Sequence, residues 1–239
     1  MKICVLGLGH IGLPTALLFA AHGADVVGVD VKQSVVDCLN HGNLPFREPG
    51  LEDLYREAEE RFAARARPGT ADVFLIAVPT PLDQATKVSD LSYVKKAADS
   101  IAPHLARGNL VILESTVPPG TSERVVIPRL EKKGIPIGDF LYAHCPERAI
   151  PGRTLQEMTE NSRIIGGYDR DSTDRATSIY QTFVRGQIYQ TVIEQVERPL
   201  IKLALAATNG NKVRAAALLG LNRNTLRSKI NTLGIAEAD

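Results

Sequence analysis

Three glycines, Gly7, Gly9 and Gly12, stand in the stretch GLGHIG, directly after the apolar run ICVL and before LPTALLFAA. The first glycine of such a spacing permits a tight turn. The second lets the backbone approach a pyrophosphate, and the third lets a helix pack closely on a strand. Phosphates held there would sit on free N–H groups at a helix start, where the macrodipole favours negative charge. Asp30 closes the next apolar run, 18 residues after Gly12, and is placed to accept a hydrogen bond from a ribose 2′-hydroxyl. An acid at that point favours NAD over NADP, whose 2′-phosphate it would repel; Lys32 nearby could soften the preference. The alternative for these residues is a plain glycine-rich turn. Gly7, Gly9, His10, Ile11, Gly12, Asp30 and Lys32 are the first candidate cofactor contacts.

Further candidates follow other apolar runs. AVPTPLD brings Val78, Pro79 and Thr80, and ESTVPPGTSE brings Ser115 and Thr116. HCPERAIPGR adds the carboxylate of Glu147. Pro79, Pro81, Pro118 and Pro119 stiffen these turns and the hydroxyls can donate, although loops with no binding role also use Pro and Thr. Ligands of open parallel sheets gather at the C-terminal ends of the strands, which is where all these segments fall.

The elements needed to bring them together are legible up to about residue 190. ICVLG, DVVGVD, DVFLIAV, NLVILES, DFLYAHC, RIIGG and QIYQT read as strands, and helical patterns fit at 12–22, 51–64, 91–106 and 170–183. Strands apolar on both faces and separated by helices predict a parallel sheet covered on both sides, the Rossmann-like doubly wound α/β class. With 239 residues, 44% of them hydrophobic, the chain has material for one or two packed domains.

Together GLGHIGLP, FREPGL, VPTPLD, ESTVPPGTSE and PERAIPG resemble, in order, the N-terminal half of the nucleotide-sugar 6-dehydrogenases. PERAIPG is more similar to the branch acting on UDP-N-acetylhexosamines such as UDP-N-acetylmannosamine than to the UDP-glucose branch. The resemblance implies NAD as cofactor, a UDP-sugar as a further partner, and Thr116 and Glu147 as catalytic residues beside the nicotinamide, with Glu147 assisting hydrolysis of a thioester. It also implies parts that do not match. The family's nucleophilic cysteine, in a glycine-rich segment followed by Pro-Lys-Asp, has no counterpart among Cys4, Cys38 and Cys145. Lys202 and Asn209 are seven residues apart instead of the family's four. The UDP-sugar domain is missing, so the expectation is cofactor binding without complete catalysis. RFAARARPGTAD is shorter than the family's strand-plus-helix, so the third strand is expected to be short or degraded.

After Thr191 the strand signal stops. Ile193, Val196, Leu200, Leu203 and Ala207 repeat with a helical period, with Pro199 opening or kinking that helix. Gly210 suits a helix stop, Asn211 a cap, and two short helices follow around Gly220-Leu221-Asn222. VERPLIKLALAATNGNKVRAAALLGLNRNTLRSKINTLGI resembles the Fis-type helix-turn-helix of the nucleoid protein Fis and of the NtrC C-terminus. That implies a small all-α DNA-binding and dimerisation domain, with Ala215, Ala216, Leu218, Leu219, Leu226 and Ile230 as its core. The recognition helix would enter the major groove from about Arg223. Lys212, Arg214, Asn222, Arg223, Asn224, Thr225, Arg227 and Lys229 are the candidate contacts to duplex DNA, and the stripe through 193, 196, 200 and 203 the candidate homodimer face. A capped helical hairpin with a solvated basic face is the alternative.

Charge agrees with this division. The whole chain is +1, which excludes a polyanion binder over its full length, yet residues 191–239 hold seven Lys/Arg against four acids. The odd number and spacing of the cysteines fit free thiols, no metal site and a reducing cytoplasm, and glycines interrupt the first apolar run too soon for a membrane span. The expected domains are 1–190 and 191–239. Three arrangements suit them: a dehydrogenase portion joined to a DNA-binding domain, a regulator whose first domain senses NAD or a nucleotide sugar, or two unrelated modules joined artificially or by rearrangement.

Overall fold

The computed structural model describes residues 1–86, 88–189, 192–232 and 235, with the side chains of 192–199, 228 and 232 outside the description. The chain divides into two compact units, Met1–Tyr189 and Gln190–Asp239.

The first unit is built on a seven-stranded sheet, six strands of which are parallel. β1 (Lys2–Leu6), β2 (Asp25–Val29), β3 (Phe62–Arg65), β4 (Val73–Ile76), β5 (Leu110–Leu113) and β6 (Leu141–His144) run parallel in the order β3-β2-β1-β4-β5-β6. Alternation along the strands makes two cores from this sheet. Ile3, Val5, Val73, Leu75, Leu110 and Ile112 face one side, under α1 (Gly12–Ala21), α3 (Leu51–Ala58) and α7 (Arg170–Tyr180). Cys4, Leu6, Phe74, Ile76, Val111 and Leu113 face the other, under α4 (Ser92–Ile101) and α5 (Ile127–Leu130). A sheet covered on both faces needs apolar residues at both parities, which explains the unbroken runs ICVL, VFLI and LVIL. The order reverses between β1 and β4, which leaves a crevice at their C-terminal ends.

Several expectations need correction. The helical pattern at 51–64 ends as α3 at Ala58, because Phe62–Arg65 is drawn into the sheet as β3. That third strand has four residues, and each pairs with β2. RIIGG is not one strand: β7 (Arg163–Ile164) pairs with β9 (Ile188–Tyr189) in a separate small sheet, while β8 (Gly166–Gly167) lies antiparallel on β6. Gln190 and Thr191 of the predicted QIYQT strand lie outside the described residues. Three short helices lie outside the expected ranges: α5 and α6 (Thr154–Glu160) were missed, and α2 (Gln33–Asn40) was foreseen only as the helix that carries Cys38.

The second unit contains α8 (Val192–Ala207), α9 (Lys212–Leu218) and α10 (Arg223–Thr232). α8 continues across Pro199. Gly210 (φ +76°) turns the chain after it, and the Asn211 side chain accepts from the N–H groups of Val213 and Arg214 to cap α9. Ile201, Ala204, Ala215, Ala216, Leu226, Ile230 and Ile235 form the core. Leu218 is not part of it. On α9 the inward face carries Ala215, Ala216 and Leu219, and Leu218 lies two residues beyond Ala216, on the opposite side and 65% exposed. α8 is apolar on two faces: Ile201 and Ala204 point inward, whereas Leu200 and Leu203 are exposed. The side chains of Ile193 and Val196 lie outside the description. No helix among the described residues is long and apolar enough to cross a membrane.

The turn between β1 and α1 depends on close approach. Gly7 has φ +93°, and a Cβ there would stand 2.7 Å from the Ala77 carbonyl oxygen. A Cβ on Gly12 would stand 1.9 Å from the Gly7 carbonyl oxygen. Gly9 differs, since a Cβ there meets no protein atom within 4 Å. Gly12→Ala should therefore lower the unfolding free energy by about 1–3 kcal/mol, and Gly9→Ala should leave it nearly unchanged. Denaturant titration of the two variants checks this; equal stabilities would contradict the close approach.

Candidate functional site

The crevice holds a cavity of about 260 Å3, lined by Gly9, His10 and Ile11 from the glycine turn, Ala77–Thr80 after β4, Glu114–Thr116 after β5, and Glu147 after β6. Hydrogen bonds brace the strand ends against one another. The Ser115 hydroxyl donates to the Val78 carbonyl (2.7 Å), and the Thr80 hydroxyl to the Thr116 carbonyl (2.8 Å). The Glu147 N–H donates to the Glu114 carbonyl (3.2 Å). Ser115 is thus a brace with its hydroxyl already engaged. His10 packs its ring on Phe46, centroids 4.2 Å apart.

Gly7 and Gly12 lie under the turn and do not line the cavity, whereas the backbone at Gly9 faces open space and no side chain caps α1. Such a cradle suits an anionic group, whose oxygens would take up the uncapped N–H groups. Asp30, at the end of β2, is held in place. Its Oδ2 accepts from the Leu8 N–H (3.0 Å) and its Oδ1 from the Lys32 N–H (2.9 Å). Each oxygen keeps a lone pair for a ribose hydroxyl.

Behind Glu147 lies a charged cluster that sequence motifs did not reveal. Glu147 Oε1 accepts from the N–H groups of Arg148 (2.7 Å) and Ala149 (2.9 Å). Its Oε2 forms an ion pair with Nη2 of Arg163, close but without hydrogen-bond alignment. Arg163, 5% exposed, also reaches Glu114 Oε1 (3.4 Å) through Nη1, and its guanidinium lies 4.5 Å above the Tyr180 ring. Glu114 further accepts from the Tyr180 hydroxyl (3.0 Å) and the Thr15 hydroxyl (3.1 Å). Burial pushes the Glu114 carboxyl up to about 7, against the opposing pull of Arg163. Burial alone would lower Arg163, but Tyr180, Glu114, Cys145 and Glu147 around it hold it above its ordinary value. The sequence does carry a signal for this cluster: a charged residue ends the buried run LVILE and another opens RII.

A second unforeseen carboxylate steadies the Glu147 loop. Glu48, buried, accepts from the N–H groups of Gly152 (3.0 Å) and Thr154 (2.8 Å) at the start of α6. Burial would raise its carboxyl, and these donors outweigh that and hold it below its ordinary value. Among the thiols, Cys145 is buried and raised to about 11 by that burial, as is Cys4. Neither has the thiolate character of a nucleophile at neutral pH.

In the second unit Arg214, Arg223, Asn224 and Arg227 are exposed, and Lys212, Thr225 and Lys229 are half-buried. Asn222 is exposed but its Oδ1 accepts from the Thr225 N–H (2.7 Å), which caps α10 and leaves its amide as the group facing outward. Lys202 stands exposed on α8, and Asn209 occupies the turn after it with φ +48°.

A switch-point crevice, a glycine cradle and an anchored acid after β2 define a dinucleotide-binding α/β domain. Residues 1–184 match the family model described as UDP-glucose/GDP-mannose dehydrogenase family, NAD binding domain, and the chain belongs to that family. Residues 192–233 match the model for bacterial regulatory proteins of the Fis family. The chain is 46% identical over 195 residues to the UDP-N-acetyl-D-mannosamine dehydrogenase of Methanococcus maripaludis, covering 80% of this chain and 44% of that protein. It is 45% identical over 203 residues to the NDP-N-acetyl-D-galactosaminuronic acid dehydrogenase of Ralstonia nicotianae, covering 79% and 47%. The solved UDP-N-acetyl-mannosamine dehydrogenase of Staphylococcus aureus superposes with a TM-score of 0.76 at 36% identity, over 99% of this chain and 60% of that one. The chain thus spans less than half the length of the curated relatives cited here.

Proposed function

We propose that this protein binds NAD across the crevice at the ends of β1, β2, β4, β5 and β6, and duplex DNA through α9 and α10. The observation that carries the first part is the glycine cradle beside an anchored Asp30. In this reading Asp30 takes the adenosine ribose and the backbone of Gly9–Gly12 takes the pyrophosphate. The nicotinamide half then lies over Val78, Pro79, Thr80, Thr116 and Glu147. Bound there, the cofactor supplies hydride acceptance. The chain's own residues bind it, orient it and keep Glu147 aimed into the cavity. Oxidation of a UDP-sugar is the chemistry that the relatives' names imply, and only its cofactor half is carried to this chain. The unpaired cysteines suit a reducing cytoplasm.

Calorimetric titration should give tighter binding of NAD than of NADP. Asp30→Ala should weaken NAD by roughly tenfold, the loss of about 1.5 kcal/mol expected for a hydrogen bond to a charged group. Equal affinity of the unmodified protein for the two cofactors would count against this assignment.

The second part rests on the exposed arginines of α9 and α10 and on the capped entry to α10. Arg223, in its first turn, is best placed to fork onto a guanine edge, while Arg214 and Lys229 suit phosphates. We further propose a homodimer through the outward face of α8, supported by the exposed Leu200 and Leu203. Arg223→Ala should cost about 1–3 kcal/mol at a preferred site and leave the mass unchanged. Leu203→Glu should lower both DNA affinity and mass. Gel shifts across a salt series with sedimentation analysis decide the matter; no salt-dependent shift of any duplex, or the same mass for Leu203→Glu and the parent, would refute the respective half.

A further inference from the structure

Cofactor contacts account for the front of the crevice but not for what lies behind it. Glu114 is 1% exposed, borders the cavity, and shares Arg163 with Glu147. Two carboxyls and one guanidinium at such depth are expensive to bury, and apolar residues of similar volume would avoid the expense. We propose that Glu114, acting with Arg163 and Glu147, makes the site sensitive to the oxidation state of the cofactor, favouring NAD+ over NADH. This rests on the reading of the crevice as an NAD site.

The placement follows from the topology. With the adenosine ribose on Asp30 after β2 and the pyrophosphate on the turn after β1, the other half must cross to β4, β5 and β6. Glu114 and Glu147 end up beneath it. The oxidised nicotinamide ring carries a positive charge that the reduced ring lacks. With both carboxyls ionised the cluster is net negative and attracts the oxidised ring; with Glu114 protonated the cluster is neutral and the attraction fades.

The groups facing Glu114 do not blur this. From α1 comes uncharged Thr15, and from α7 Tyr180, which burial holds far above its ordinary value and so protonated. From β7 comes Arg163, and from the end of β6 the thiol of Cys145, also kept protonated by burial. His144 contacts the Ser115 carbonyl, and burial lowers it from its ordinary value. Glu147 stays paired with Arg163. His10 also lines the cavity and is given its own control.

Because burial brings Glu114 to about 7, its charge develops between pH 6 and 8. For a separation of roughly 8 Å and an effective dielectric near 20, a full unit charge corresponds to a preference of about thirtyfold, of which most develops between pH 6 and 8. The dissociation constants of NAD+, NADH and ADP-ribose, measured by calorimetry at pH 6, 7 and 8, test the idea. The advantage of NAD+ over NADH should grow about tenfold across that range, while ADP-ribose, which lacks the ring, stays flat. Glu114→Gln keeps the geometry and should abolish the trend, and His10→Gln should retain it. Linkage adds a test on the unmodified protein: NAD+ binding at pH 7 should release protons, seen as heats that vary with buffer ionisation, and NADH binding should not. Binding of both cofactors at an unchanging ratio, a trend that survives in Glu114→Gln, or equal proton release for the two cofactors overturns the inference. Failure of NAD+ and NADH to bind at any pH instead overturns the NAD reading beneath it. If Glu114→Gln does not fold, the proton release decides.

Discussion

The nucleotide crevice depends on one steric constraint, the approach of α1 to the loop that leads into it. Gly12 lies so near the Gly7 carbonyl that any side chain would push helix from strand. Gly7 in turn lies against the backbone at Ala77, the first residue after β4. The two glycines therefore lock β1, α1 and β4 together at the place where the strand order reverses. Gly9 stands outside this lock with open space before it. The close contact closes the fold from below and keeps the cradle open from above, so fold stability and ligand access share a single turn.

Charge at depth is the second organising element. Glu114 and Arg163 are placed by β5 and β7, and neither faces solvent. Their mutual pairing, the Tyr180 and Thr15 hydroxyls and the stacked ring of Tyr180 offset a desolvation cost of several kcal/mol for each ion. What this arrangement secures is the position of Glu147, which hangs from Arg163 on one side and from two backbone N–H groups on the other. Glu48 fixes the far end of the same loop through the start of α6. The loop after β6 is thus tied at one end by its own Glu147 to Arg163, and at the other by Glu48 from the segment before α3.

What the sequence disclosed follows from range. Glycine spacing, an acid at a strand end and apolar runs of both parities are local patterns, and from them the doubly wound sheet, the glycine turn and Asp30 could all be read. Asn211 and Gly210 were equally legible, since a cap and a left-handed turn are set within a few residues. Partners far apart were not. Glu48 bonds residues more than a hundred positions away, and Arg163 joins Glu114 from 49 positions away. β3 is short, as expected, but Phe62–Arg65 overlaps the helical pattern at 51–64 and becomes a strand only by pairing with β2. Leu218 was misplaced because a short alanine-rich helix gives its apolar residues no clear face until α8 packs against it.

One unit carries a nucleotide crevice and the other a basic helical surface. The most direct test of the account is a crystal structure of the chain with NAD. The account predicts the adenosine ribose on the Asp30 carboxylate, the pyrophosphate against the backbone of Gly9–Gly12, and the nicotinamide ring between Thr116 and Glu147. NAD bound away from the glycine turn, or reversed so that its nicotinamide ribose rests on Asp30, would contradict it.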